Sequence, residues 1–105
     1  MPGKTGNLAY GGVQRSYSFP NFHADIIPFS AAAVKCANMA CEQIWIQNDP
    51  DSTGDCIIGG ARLAVDGFGI KLSPGDTTGW IPIQNLNMIY HKDEASSHLN
   101  YMIIW

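Results

Sequence analysis

The side chains able to do chemistry in this chain are few, and their spacing decides what they can do. Asp49-Pro50-Asp51-Ser52-Thr53-Gly54-Asp55 opens like a calcium loop, with oxygen ligands at its first, third and fifth positions and glycine at its sixth. The twelfth position of that frame is Gly60 where a bidentate Glu is needed, so the stretch reads as a loop of turn formers. His23, His91 and His98 stand at no metal-ligand spacing to one another or to Cys36, Cys41 and Cys56. His91 and His98 flank one charged loop and are expected to face each other across a hairpin. A Gly-x-Ser-x-Gly elbow and a Cys/His nucleophile signature are both missing. Gly54 to Gly60 lacks the Lys-Ser/Thr ending of a phosphate loop, and Gly67-Phe68-Gly69 has no helix behind it. The expectation is a non-enzyme with no catalytic residue, no metal and no cofactor. Three cysteines cannot all pair within the chain, and reduced thiols packed as small hydrophobes are the simplest expectation.

Composition points the same way. At 105 residues there is room for one core. With 46% of residues hydrophobic and only 14% charged, the chain is too apolar to be disordered and poor in charge for an isolated monomer. Surfaces meant for burial would explain both figures. A net charge of −3 lacks the basic face that displaces counterions from phosphates, so nucleic acid is not an expected partner. Met1 to Leu8 lacks the apolar centre of a signal peptide, and no apolar run approaches the roughly 20 residues of a membrane helix. A soluble, non-membrane protein is expected.

The elements that carry these residues are short strands. From residue 31 onward, alternating runs are divided by turn signals: 32–36, 42–47, 56–58 with 62–65, 68–72, 78–83, 87–91 and 99–105. Residues 32–36 and 42–47 read as a hairpin; Gly59-Gly60 breaks the next pair, and Ser73-Pro74-Gly75-Asp76 has the Pro and Gly of a type II turn. Pro82 belongs at an edge or bulge. Six or seven strands in this length bury Ile44 and Ile46 against Leu63, Val65 and the last strand most economically as two packed antiparallel sheets. The predicted fold is all-β, a small antiparallel β-sandwich of jelly-roll type over 31–105, preceded by an extended N-terminal arm over 1–30.

That arm carries no helical or strand period, and Gly and Pro punctuate it throughout, yet Leu8, Tyr10, Val13, Tyr17, Phe19, Phe22, Ile26, Ile27 and Phe29 make it too apolar for a solvated tail. It either packs on its own domain as an added edge strand or reaches over a neighbour, with Tyr10, Tyr17, Phe19 and Phe22 as the partner-binding anchors. Trp45, Trp80 and Trp105 fill sheet faces, and an exposed row of such rings also suits a sugar.

Residues 34–105 resemble the small β-sandwich domains of tailed-bacteriophage virion proteins. The resemblance rests on order: the strand Ile44-Trp45-Ile46-Gln47-Asn48, then Asp66 to Asp76 with its Leu72-Ser73-Pro74-Gly75-Asp76 turn, then Asn85-Leu86-Asn87-Met88-Ile89-Tyr90, then a hydrophobic last strand. The chain departs from the family in having Ala95-Ser96-Ser97-His98 where the last hairpin is usually Gly-rich, and in its long aromatic arm. What the resemblance implies is a structural protein of the virion, assembled in the host cytoplasm. It would be a capsid decoration or cement protein binding the major capsid protein or other virion proteins, as a homo-oligomer such as a trimer. A neck, tail or fibre component, including a receptor- or carbohydrate-binding module acting through Trp45 or Trp80, is the alternative.

Overall fold

The computed structural model describes residues 21–105, which form two four-stranded antiparallel sheets packed face to face. In chain order the strands are β1 (Phe22–Ile27), β2 (Val34–Lys35), β3 (Gln43–Asn48), β4 (Cys56–Gly59), β5 (Ile70–Leu72), β6 (Thr77–Ile81), β7 (Tyr90–Asp93) and β8 (Leu99–Ile104). One sheet runs β1-β8-β3-β6 and the other β2-β7-β4-β5. First therefore pairs with last, second with seventh, third with sixth and fourth with fifth. The chain is one long hairpin wound around a common core, which is the jelly-roll topology.

Strict alternation builds the first sheet. Ile44, Ile46 and Asn48 of β3 point inward, as do Leu99, Tyr101 and Ile103 of β8, and all six are buried. The second sheet meets them with Cys56, Ile58, Leu72, His91 and Asp93. Asn48 ties the layers, its Nδ2 donating to Gly54 O at 3.0 Å and to Leu72 O at 2.8 Å.

Four details depart from the sequence expectations. Residues 62–65 are helical: α1 (Arg62–Asp66) buries Leu63 and leaves Val65 83% exposed, so Val65 takes no part in the core. Gly59-Gly60 releases the chain from β4, Arg62 pairs with Asp66 one turn on at 2.9 Å, and Gly67 ends the helix at φ 76°. No hairpin joins 32–36 to 42–47, because β2 and β3 lie in different sheets. β7 and β8 are likewise divided, so His91 faces Val34 and Ile58 across its ladders and not His98. Finally, Leu86–Met88 is a 3-10 turn, which Asn85 caps by accepting from Asn87 N–H at 2.9 Å, and the strand begins only at Tyr90.

Within the segment expected as an arm, Phe22–Ile27 is hydrogen-bonded to β8 along its whole length and forms an edge of the first sheet. Tyr10, Tyr17 and Phe19 lie outside the described residues.

Candidate functional site

The titratable side chains most deeply placed in the fold are those inside the second sheet. His91 Nδ1 lies 3.0 Å from both carboxylate oxygens of Asp93, and Asp93 also accepts the Ser30 N–H at 3.0 Å. Cys36 and Cys56 are packed nearby, buried and free. Desolvation, with the Asp93 charge adding to it, pushes both thiols up to about 12. A nucleophilic cysteine needs a populated thiolate and a route for substrate. Both thiols are closed off from solvent here, and the polar members of the Cys–His–Asp group pair with one another. Burial also raises the Cys41 thiol, with Glu42 assisting. Among the described residues no group of three or more His, Cys, Asp or Glu is placed to hold a metal ion.

One end of the sandwich collects the β1–β2, β3–β4, β5–β6 and β7–β8 loops. An open depression of about 540 Å³ lies there, walled by Phe29, Asp49, Asp51, Ser52 and residues 95–98. The calcium-like stretch sits on its rim, and its first carboxylate is occupied within the chain. Asp49 accepts from Asn100 Nδ2 at 2.9 Å and from the Asp51 N–H at 3.1 Å, with His98 Nε2 at 3.9 Å. The Asn100 hydrogen bond chiefly holds the Asp49 carboxyl below its ordinary range, against a smaller opposing effect of desolvation. Asp49 thus acts as the anchor of a turn. His98, expected opposite His91, is instead its companion across this loop end.

The outer faces of the two sheets differ in charge. Opposite residues on the first sheet run Ala24, Met102, Trp45, Trp80 in one row and Phe22, Ile104, Gln43 in the next. With Ile26, Asn100, Gln47 and Thr77 completing it, this outer face carries no charged side chain among the described residues. Phe22, Ile26 and Trp80 are 64%, 55% and 45% exposed, and Trp105 follows at 42%. Isolated exposed apolar residues are ordinary; a contiguous apolar sheet face marks an interaction surface. On the second sheet the outward positions are Lys35, Tyr90 and Gly59 in one row and Lys92, Ile57 and Lys71 in the other.

Of the residues the sequence singled out, Phe22, Trp45 and Trp80 come together on this uncharged face. Ile26, named only for the apolar character of the arm, belongs to it as well, and Met102 and Ile104 were missed. The alternation Asn100, Met102, Ile104 against Leu99, Tyr101, Ile103 was the available signal, but two apolar sets in one strand leave open which set faces out.

Comparison with protein-family models, with curated proteins and with solved structures finds no match to this chain.

Proposed function

We propose that this chain is a structural subunit of a tailed-phage virion, a decoration or cement protein that binds the major capsid protein and works as a symmetric oligomer. The uncharged outer face of the β1-β8-β3-β6 sheet carries the proposal: Phe22, Ile26, Trp45, Trp80, Met102 and Ile104 form a surface whose burial against protein is favourable and whose exposure is not. The order of strand and turn motifs shared with phage β-sandwich domains supports it further, as does a jelly-roll fold, which virion proteins often use. Fold analogy by itself does not define function, so the face is the stronger support. In a lattice, many copies of a modest interface add up through multivalency. Tyr10, Tyr17 and Phe19 extend the same apolar character toward the N-terminus.

A second reading has one observation in its favour. Trp45 and Trp80 are directly opposed on β3 and β6, a pair of rings that a sugar could stack on in a receptor-binding neck, tail or fibre protein.

Quantitative mass spectrometry of purified particles separates the two. A fixed ratio to the major capsid protein, in hundreds of copies, is the expected result. A handful of copies per particle with glycan binding lost in Trp80→Gln would replace it with the second reading. Absence of the chain from particles would remove both.

A further inference from the structure

Among the described residues, the four sheet edges are not equally protected. β2 is two residues long and β5 three. β6 is interrupted by a register shift opposite Trp45 and Gln47 and by Gly79 at φ 70°, and Pro82 follows it. Shortness, irregularity and proline are the devices that blunt an edge. β1 is six residues in unbroken register with β8, with no lysine and no proline, and its one charged side chain is Asp25.

The hydrogen bonding of β1 to β8 fixes which of its backbone groups point away from that strand. Asn21 and Trp105 exchange both bonds, Asn21 N to Trp105 O at 3.2 Å and Trp105 N to Asn21 O at 3.1 Å. Antiparallel alternation then turns His23, Asp25 and Ile27 toward β8 and leaves the N–H and C=O of Phe22, Ala24 and Ile26 facing outward. The Ile26 N–H bears this out, since its acceptor is the Asp25 Oδ1 at 2.7 Å and not β8.

We propose that β1 pairs antiparallel with the β1 of a second copy across a two-fold axis at Ala24. The strand is self-complementary about that residue. Phe22 meets Ile26 of the second copy and Ala24 meets its own equivalent, and these are the residues whose backbone groups face away from β8 and have no backbone partner among the described residues. His23 meets Asp25 of the second copy twice, in the non-hydrogen-bonded positions where side chains approach most closely. The imidazole and carboxylate are already on one face, 4.0 Å apart within a chain. On pairing, the Asp25 carboxylate gives up the Ile26 N–H to a backbone acceptor of the second copy and turns to its His23. The small Ala24 keeps the axis free of obstruction. The row Trp80, Trp45, Met102, Ala24 then continues through the axis into its repeat, doubling the uncharged face into one eight-stranded sheet. Such a contact is isologous and closed, so its product is a dimer, and a three-fold assembly would use other surfaces.

The inference does not depend on the virion reading, since it is tested on the purified full chain by sedimentation equilibrium. The wild type is expected to be a dimer. His23→Asp sets like charges opposite each other and is expected to weaken association at least about tenfold, the scale of a pair of destabilising contacts. Adding Asp25→Lys to His23→Asp restores it, because the pairs are again of opposite sign. In a third variant, Ala24→Cys, the two thiols meet at the axis within disulfide range and are expected to give a covalent dimer on mild oxidation. The native thiols are buried and do not compete. A monomeric wild type, a dimer indifferent to His23→Asp, or failure of Ala24→Cys to cross-link a dimeric chain would each overturn the proposal.

Discussion

The two sheets share a core but are built on opposite plans. The β1-β8-β3-β6 sheet faces inward with Ile27, Ile44, Ile46, Leu99 and Ile103 and outward with rings, thioether and amides, so no full charge stands on either side of its two central strands. The β2-β7-β4-β5 sheet faces inward with two thiols and a His–Asp pair, and outward with Lys35, Lys71 and Lys92. Those are three of the four Lys and Arg side chains in residues 21–105. A face crowded with lysine stays in water, because desolvating ammonium groups is expensive. A face without charge can be buried whole. On the function proposed above, the contrast makes the lysine face the wet side and the uncharged face the docking side of the sandwich.

The largest expected effect lies in the polar interior of the second sheet. His91→Leu keeps volume but leaves the Asp93 carboxylate buried with only the Ser30 N–H and the Cys56 thiol to hold it, and is expected to cost about 3–5 kcal/mol in urea unfolding. Replacing Asp93 by Asn in the same chain is expected to recover part of that loss, since a neutral amide is far cheaper to bury. If His91→Leu costs under about 1 kcal/mol, the second sheet is no more dependent on polar pairing than the first.

The next effect is alkaline. Cys36 and Cys56 are pushed up to about 12, well above the thiol's ordinary value of 9.0. Below pH 9 both folded and unfolded chains hold these protons, and the fold is at full stability. Between 9 and 12 the unfolded chain releases protons that the folded chain keeps, so stability falls with rising pH, by up to about 1.4 kcal/mol per pH unit for each thiol. The Cys36→Ala/Cys56→Ala chain is expected to show a visibly flatter decline over that window than wild type. Equal slopes would mean that the second sheet admits water to its thiols.

Much of this layout was legible from alternation. Strands β3, β6 and β8 and the inward pair Ile44 and Ile46 follow from period two, and the Pro74-Gly75 turn from its residues. What escaped was which strands pair. Local signals find the turns of hairpins, and here most connections between successive strands cross from one sheet to the other, so 32–36 with 42–47 and 87–91 with 99–105 looked like hairpins when neither is. The helix at 62–66 escaped for another reason. Arg62-Leu63-Ala64-Val65 alternates as well as any strand, and only the glycines around it, Gly59 and Gly69, reveal a tight corner: a Cβ on Gly69 would lie 2.6 Å from the Ile58 carbonyl oxygen. As for the candidate site, Trp45, Trp80 and Phe22 were visible as single aromatic residues. Their union into one face depends on the order of strands in the sheet, a long-range property that no window of sequence holds.

The smallest effects on stability come from the outer faces, and there the comparison between sheets is sharpest. Lys92→Gln alters one exposed charge and is expected to change stability by no more than about 0.5 kcal/mol. Trp80→Gln removes a half-exposed ring at the position opposite Trp45 and is expected to cost about 1 kcal/mol, the scale of apolar area lost from a partly exposed site. Neither unfolds the protein, so particle binding can be compared between them on equal terms. If the uncharged face docks, Trp80→Gln lowers occupancy on particles at least about tenfold while Lys92→Gln leaves it unchanged, and raising salt has little effect because apolar burial is not screened. The opposite pattern, with Lys92→Gln weakening binding and salt mimicking it, would move the docking side to the lysine sheet. The aromatic face would then be left to contacts between copies of the chain, through the edge at β1 that borders it.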